Sequence, residues 1–237
     1  MFKFFQLILW LYISTVGCTR KYFETFVIEP QQSSRNAISL EQFKWPNGIV
    51  HYIFDSSYNE SDRNSVLTAM DLIVQKTCVK FVEKTPNQVE HIRFLKSQNG
   101  ECGSNVGYRP NQVKPLDVTF SADCLGLRGA VQHELLHVLG LFHEQCRPDR
   151  DDYVEILWSH IDPLFRRNFE KGGYSILTTF DLPYDYESLM HYPGNAFAKR
   201  GENVTIRSKK DPAQRLGQSV GPTFYDLEKI RRMYHCK

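Results

Sequence analysis

An excess of charge of one sign is the first thing this sequence lacks. Its 29 Lys and Arg face 27 Asp and Glu, a formal net charge of +2. So weak a field excludes nucleic acid as an expected partner. A second long apolar run is missing as well. Beyond the N-terminal segment, no stretch approaches the roughly 20 apolar residues that a bilayer span needs. Internal repeats, low-complexity tracts and a clear linker after Arg35 are also absent, which leaves one folded unit.

What is present is the make-up of a soluble globular chain, 41% hydrophobic and 24% charged over 237 residues, with length for one large domain or two small ones. Six cysteines are more than a cytosolic enzyme usually carries. The N-terminus agrees with an oxidising compartment. Met1 to about Cys18 has Lys3 near its start, an apolar run from Phe4 to Ile13, and small residues from Ser14 to Gly17. This is the layout of a signal peptide, and it predicts a secreted, extracellular protein with no membrane anchor, because the run is too short to span. Residues 19–35 are short and mixed, and PQQSSR at Pro30–Arg35 is turn-prone. They read as a removable pro-segment or a solvated tail, with Arg35 a trypsin-like cleavage site.

From Trp45 onward the pattern is that of folded structure. IVHYIF at Ile49–Phe54 is β-branched and aromatic after a Pro46-Asn47-Gly48 turn, which predicts a strand. Ser61 or Asp62 is placed to cap a helix carrying Val66, Met70, Ile73 and Val74 on one face. Residues 79–82, 92–95 and 118–121 read as short strands. A last helix is expected over 223–234, with Leu227, Ile230 and Tyr234 inward and Thr223 and Asp226 forming a capping box.

One stretch carries chemistry. His133-Glu134-Leu135-Leu136-His137-Val138-Leu139-Gly140-Leu141-Phe142-His143 fits H-E-x-x-H-x-x-G-x-x-H. Residues four apart share a helix face, so His133 and His137 can offer imidazole nitrogens to one ion. Gly140 can take positive φ and turn the chain back, bringing in His143. Glu134 stands next to the first ligand, where a carboxylate can deprotonate a water held by the metal. The competing interpretation is an amphipathic core helix with merely satisfied histidines.

The run continues to Asp151, and His133–Asp151 resembles the astacin signature HExxHxxGxxHExxRxDRD at every fixed position. Ser188-Leu189-Met190-His191-Tyr192 resembles the SxMHY turn of the same family. Asn36-Ala37-Ile38 resembles a mature astacin N-terminus, so the similarity covers 36–237. It implies an α+β fold: a two-lobed metzincin domain with a twisted N-terminal sheet and two helices, an active-site cleft, and an irregular C-terminal lobe ending in a helix. It implies one Zn2+ per chain, held by His133, His137, His143 and, at rest, Tyr192. Glu134 becomes the general base and proton shuttle, and Tyr192 leaves the metal to stabilise the oxyanion. Met190 forms a hydrophobic floor, and Glu144 receives the new amino terminus after cleavage. Arg147, Asp149, Arg150 and Asp151 form structural ion pairs. The implied disulfides pair Cys78 with Cys236 and Cys102 with Cys124.

Cys146 then stands apart, as a buried inert thiol, an intermolecular or prodomain bridge, or a reactive regulatory thiol. Asn59-Glu60-Ser61 and Asn203-Val204-Thr205 are N-glycosylation acceptors wherever they are exposed. Two features depart from the family. No aspartate lies between Thr19 and Arg35 to occupy the metal before cleavage, although Glu24 or Glu29 offers an anionic oxygen, and weak latency is expected. Gly103-Ser104-Asn105-Val106-Gly107 follows Cys102 where aromatics are usual, so a substrate there relies on backbone pairing. Arg207, Lys209, Lys210 and Arg215 form either a solvated basic loop or a cationic primed-side pocket. The expected function is a secreted zinc endopeptidase acting on extended protein or peptide substrates. A non-catalytic secreted protein that keeps zinc as a staple is the alternative.

Overall fold

The computed structural model describes residues 37–111, 114–172 and 178–237. The expected signal peptide, pro-segment and Asn36 lie outside these. The first lobe contains β1 (Ile49–Phe54), α1 (Glu60–Val74), β2 (Lys80–Glu83), β3 (Ile92–Lys96), β4 (Leu116–Phe120), the single-turn α2 (Ala122–Leu125) and α3 (Arg128–Val138). The second contains β5 (Val154–Ile156) and β6 (Ile206–Ser208), and α4 (Phe224–Met233) closes the chain.

The four long strands pair in parallel in the order β2-β1-β3-β4. Parallel neighbours require a crossover, and α1 supplies the one from β1 to β2. The cap of α1 lies earlier than expected. Asn59, not Ser61 or Asp62, accepts from the Asp62 amide at 2.9 Å, while the Asp62 carboxylate accepts from the Asn59 amide at 3.2 Å. Asp62 is therefore the third helical residue of a capping box rather than its first. The buried face of α1 is Val66, Ala69, Met70 and Ile73, with Val74 only half-buried. β4 starts and ends before the expected 118–121, because Ser121 instead caps α2.

Outside β4 in the sheet lies a segment that precedes it in the chain and meets it antiparallel at a single bridge. Gly103 N–H donates to Thr119 O at 3.0 Å and Thr119 N–H to Gly103 O at 2.8 Å. This makes the segment after Cys102 the outer edge of the sheet, on the cleft side. Both implied disulfides are present, Cys78–Cys236 and Cys102–Cys124. The first closes a loop of 158 residues, worth about 4–5 kcal/mol in the chain-entropy account.

Two apolar clusters correspond to the two lobes. One joins the sheet, α1 and α3, and the other gathers Val154, Ile161, Phe169, Tyr184, Tyr192 and Ile206. The final helix crosses this division, since Ile230 and Met233 pack into the first cluster. Its inner face is Asp226, Lys229, Ile230 and Met233; Leu227 and Tyr234, expected inward, are only partly buried. Among the described residues no helix is long and apolar enough to cross a membrane.

Candidate metal centre and active site

α3 presents His133 and His137 one turn apart, and the chain leaves the helix at Gly140 with φ +108°. A side chain there would be strained by that φ, and its Cβ would also lie 3.2 Å from Met233 Sδ and 3.3 Å from Ile38 Cδ1. Glycine is required on both counts. The turn brings His143 back, and the three imidazoles offer ligand atoms all within 4.8 Å of one another.

Their Nε2 atoms converge. His133 lies 3.0 Å from His137 and 3.3 Å from His143. Ligand bonds of about 2.0–2.1 Å around a tetrahedral Zn2+ would separate nitrogens by about 3.3 Å. These contacts therefore fit the vertices of a metal site better than hydrogen bonds between imidazoles. The outer nitrogens agree: His133 Nδ1 faces Leu189 O at 2.8 Å and His137 Nδ1 faces Leu141 O at 2.6 Å. A carbonyl can only accept, so each Nδ1 carries the proton and each Nε2 lone pair is left available to a metal.

Glu134 is 2% exposed on the same helix and lines the cleft with His133 and His143. Tyr192 is buried, its ring 4.3 Å from that of His143 and packed against Phe169 and Phe197. Met190 is fully buried in the first cluster. Its carbonyl accepts from the Glu144 amide at 2.8 Å, joining the turn to the metal loop. Between Met190 and Tyr192, His191 bonds to Tyr184 Oη at 2.8 Å and Tyr192 O at 2.6 Å. Burial pushes its pKa down to about 4, so it is neutral.

Beneath the histidines lies a buried ionic belt. Glu144 is fully buried; its Oε1 accepts from Arg147 at 3.1 Å and from the Asp185 amide at 3.0 Å. Its Oε2 accepts from Lys229 Nζ, itself fully buried. Burial alone would raise the Glu144 pKa, but Lys229, Arg147 and these hydrogen bonds bring it below the ordinary value. The resemblance has Glu144 awaiting a freed amino terminus. Among the described residues its counter-cations are Lys229 and Arg147, and Asn36, which would carry that amino terminus, lies outside them. Ala37, the residue after Asn36, is buried and bridges Leu141.

α4 is linked to the histidine cluster by a second route. Asp226 accepts from Ser188 Oγ at 2.6 Å and from the Leu189 amide at 2.9 Å, and Leu189 O orients His133. Neither Asp226 nor Lys229 is visible as a site residue in the sequence. The only signal is a capping box that accounts for Asp226 locally. The expected ion pairs are present, Arg147 with Asp149 and Arg150 with Asp151.

The Cys146 thiol is free and buried, and burial pushes it up to about 12. At neutral pH it is a protonated thiol rather than a reactive thiolate. The cleft holds about 610 Å³ and runs from Leu127 and Ala130 to Gly194 and Ser219. Of the four basic residues, Arg207 and Arg215 line it, and Arg207 is held by Glu155. Among the described residues Arg215 forms no ion pair. Asn59 and Asn203 are both exposed.

Comparison with known proteins places these features in context. The model of the peptidase family described as Astacin matches residues 37–235. Zinc metalloproteinase nas-4 of Caenorhabditis elegans is 36% identical over 211 residues, 89% of this chain and 65% of that protein. Meprin A subunit beta of Rattus norvegicus is 32% identical over 88% of this chain and 29% of its own length. The chain thus spans less than two thirds of the length of these curated relatives. A solved structure of high choriolytic enzyme 1, a hatching enzyme zinc-protease from Oryzias latipes, superposes with TM-score 0.76 at 31% identity, covering 85% of this chain and all of that one.

Proposed function

The chain belongs to the astacin family of peptidases, whose cofactor is zinc, and from that membership we propose that it is a secreted endopeptidase acting on extended protein or peptide substrates. The observation that carries this reading is the convergence of three Nε2 atoms within a cleft that Glu134 also lines. A closed structural site uses four permanent protein ligands, whereas three imidazoles, with Tyr192 as a ligand able to leave, would open a position for chemistry. That, with a buried carboxylate beside it, favours catalysis over a zinc-stapled binding protein.

Bound zinc would supply Lewis acidity toward the scissile carbonyl and lower the pKa of the attacking water. The chain's own residues would do the rest. Glu134 accepts the proton from water and returns it to the departing amine. Tyr192 donates a hydrogen bond to the developing oxyanion. The N–H and carbonyl of Gly103 are taken by Thr119, so an extended substrate would be aligned by the outward backbone groups of its neighbours Cys102 and Ser104. Hydrolysis of a protein substrate should cease when a zinc chelator is added and return with Zn2+. Hydrolysis unaffected by chelation would overturn the reading.

Residues 1–18 are proposed as a signal peptide and 19–35 as a pro-segment of weak latency, since the sequence from Thr19 to Arg35 holds no aspartate. Asn59 and Asn203 are proposed glycan acceptors. Arg215 is the basis for proposing a preference for Asp or Glu just after the scissile bond. Arg207 is already neutralised by Glu155, so a substrate carboxylate entering the cleft would find its charge partner in Arg215. A peptide library should show enrichment of Asp and Glu at that position in wild type and its loss in Arg215→Ala. Equal cleavage of acidic and neutral peptides by wild type would remove the idea.

A further inference from the structure

Glu134 is almost fully buried, and a buried carboxylate needs hydrogen-bond donors to stay in one orientation. Ser104 provides one from outside the helix. Its Oγ lies 2.9 Å from Glu134 Oε2 and 3.1 Å from Glu134 O. A hydroxyl has a single proton, and an ionised carboxylate is the stronger of these two acceptors. Ser104 therefore donates to Oε2.

We propose that Ser104 is the positioning residue for the general base, holding Glu134 Oε2 so that Oε1 is the oxygen presented to the attacking water. This rests on the reading of Glu134 as that base. The peptide backbone around Ser104 is unusually well fixed for a loop. Gly103 is bonded to Thr119 in both directions, Cys102 is bridged to Cys124, and Gly107 N–H donates to His137 O at 2.9 Å. The hydroxyl is thus held at one end by β4 and at the other by the metal-bearing helix. A donor on so fixed a support restricts the carboxylate to one rotamer, which matters because a misplaced base loses rate even when metal and substrate are bound. The Glu134 carbonyl gives the serine proton a second acceptor in the part of the cycle when the carboxylate carries a proton. The same segment forms the sheet edge, so the base and the strand that would align a substrate share one support. Ser104 itself is only partly buried, and threonine keeps the hydroxyl while adding a single methyl group.

The test uses the full chain, before and after limited trypsin treatment, with Ser104→Ala, Ser104→Thr and Glu134→Ala. Ser104→Ala should lower kcat about 10- to 100-fold, the usual range for a partner that orients a metal-site group, with KM within about twofold. Ser104→Thr should restore kcat to within a few-fold of wild type. Zinc content and thermal midpoint should be unchanged in both. A crystal structure of Ser104→Ala should show Glu134 in more than one rotamer with the three histidines unmoved. Full kcat in Ser104→Ala beside an inactive Glu134→Ala would overturn the role of Ser104 alone. Wild-type activity in Glu134→Ala would instead overturn the general-base reading beneath it. A loss in Ser104→Ala that Ser104→Thr does not repair, or that comes with lost zinc, would overturn the positioning role and mark Ser104 as merely structural.

Discussion

Glu134→Ala should bind zinc as wild type does and lose about 10²- to 10⁴-fold in kcat, the range expected for removing a general acid–base group. The two halves of that expectation have separate causes. Orientation of the first two ligands comes from Leu189 O and Leu141 O, and neither contact involves the Glu134 side chain. Alanine also suits the interior of α3, so the helix carrying the histidines should persist. What disappears is, among the described residues, the one carboxylate that lines the cleft with the histidines and can take a proton from water. Metal analysis together with kcat and KM on one peptide separates these effects. Retained zinc with wild-type kcat would show that another group moves the proton. Lost zinc would show that Glu134 supports the ligand set rather than the chemistry.

Lys229→Met should destabilise the fold by about 3–5 kcal/mol, the cost expected when one partner of a buried ion pair is removed. Methionine approximates the lysine stem, so cavity formation contributes little. The penalty comes from Glu144 Oε2, which loses its cation in a site with no exposure. Arg147 remains on Oε1, which should place the loss toward the lower end of that range. Adding Glu144→Gln should recover part of it, because the uncompensated charge is then gone. Urea unfolding of the two single variants and the double variant measures the coupling. A loss in Lys229→Met below about 0.5 kcal/mol, as for an ordinary surface change, would contradict the buried pair.

The pH dependence has a definite sign. Burial opposes ionisation of Glu144, but Lys229 and Arg147 outweigh it and hold the folded pKa below 4.5. A carboxylate depressed on folding contributes stability above its unfolded pKa and loses it as pH falls through the folded value. Wild type should therefore lose this contribution on acidification below about 4.5. Lys229→Met should show a shallower slope in that range.

Much of the site is legible in the chain itself, for local reasons. The spacing of His133 and His137 is one helical turn, and a helical turn does not depend on the rest of the fold. Gly140 likewise marks a backbone reversal wherever that motif occurs. The strand at Ile49–Phe54 and the Thr223–Asp226 capping box are equally local, and both are present. The cap of α1 is Asn59 because Ser61, Asp62 and Asn59 are all competent caps, and only the packing of α1 on the sheet selects among them.

What the sequence determined by itself was the metal-ligand set, its helical geometry and, through two long motifs, the resemblance to the family to which the chain belongs. The tertiary structure decided which residues support that set. Lys229 meets Glu144 across 85 positions, Asp226 meets Leu189 across 37, and Ser104 meets Glu134 across 30. Within α4, Lys229 resembles its neighbours Arg231 and Arg232, which are exposed. Nothing local distinguishes a lysine that will be fully buried from one that will face water. The difference arises only when α4 packs across both lobes and places an ammonium against a carboxylate already out of reach of solvent. Burial is a property of the assembled chain, and so is the electrostatic support beneath the metal.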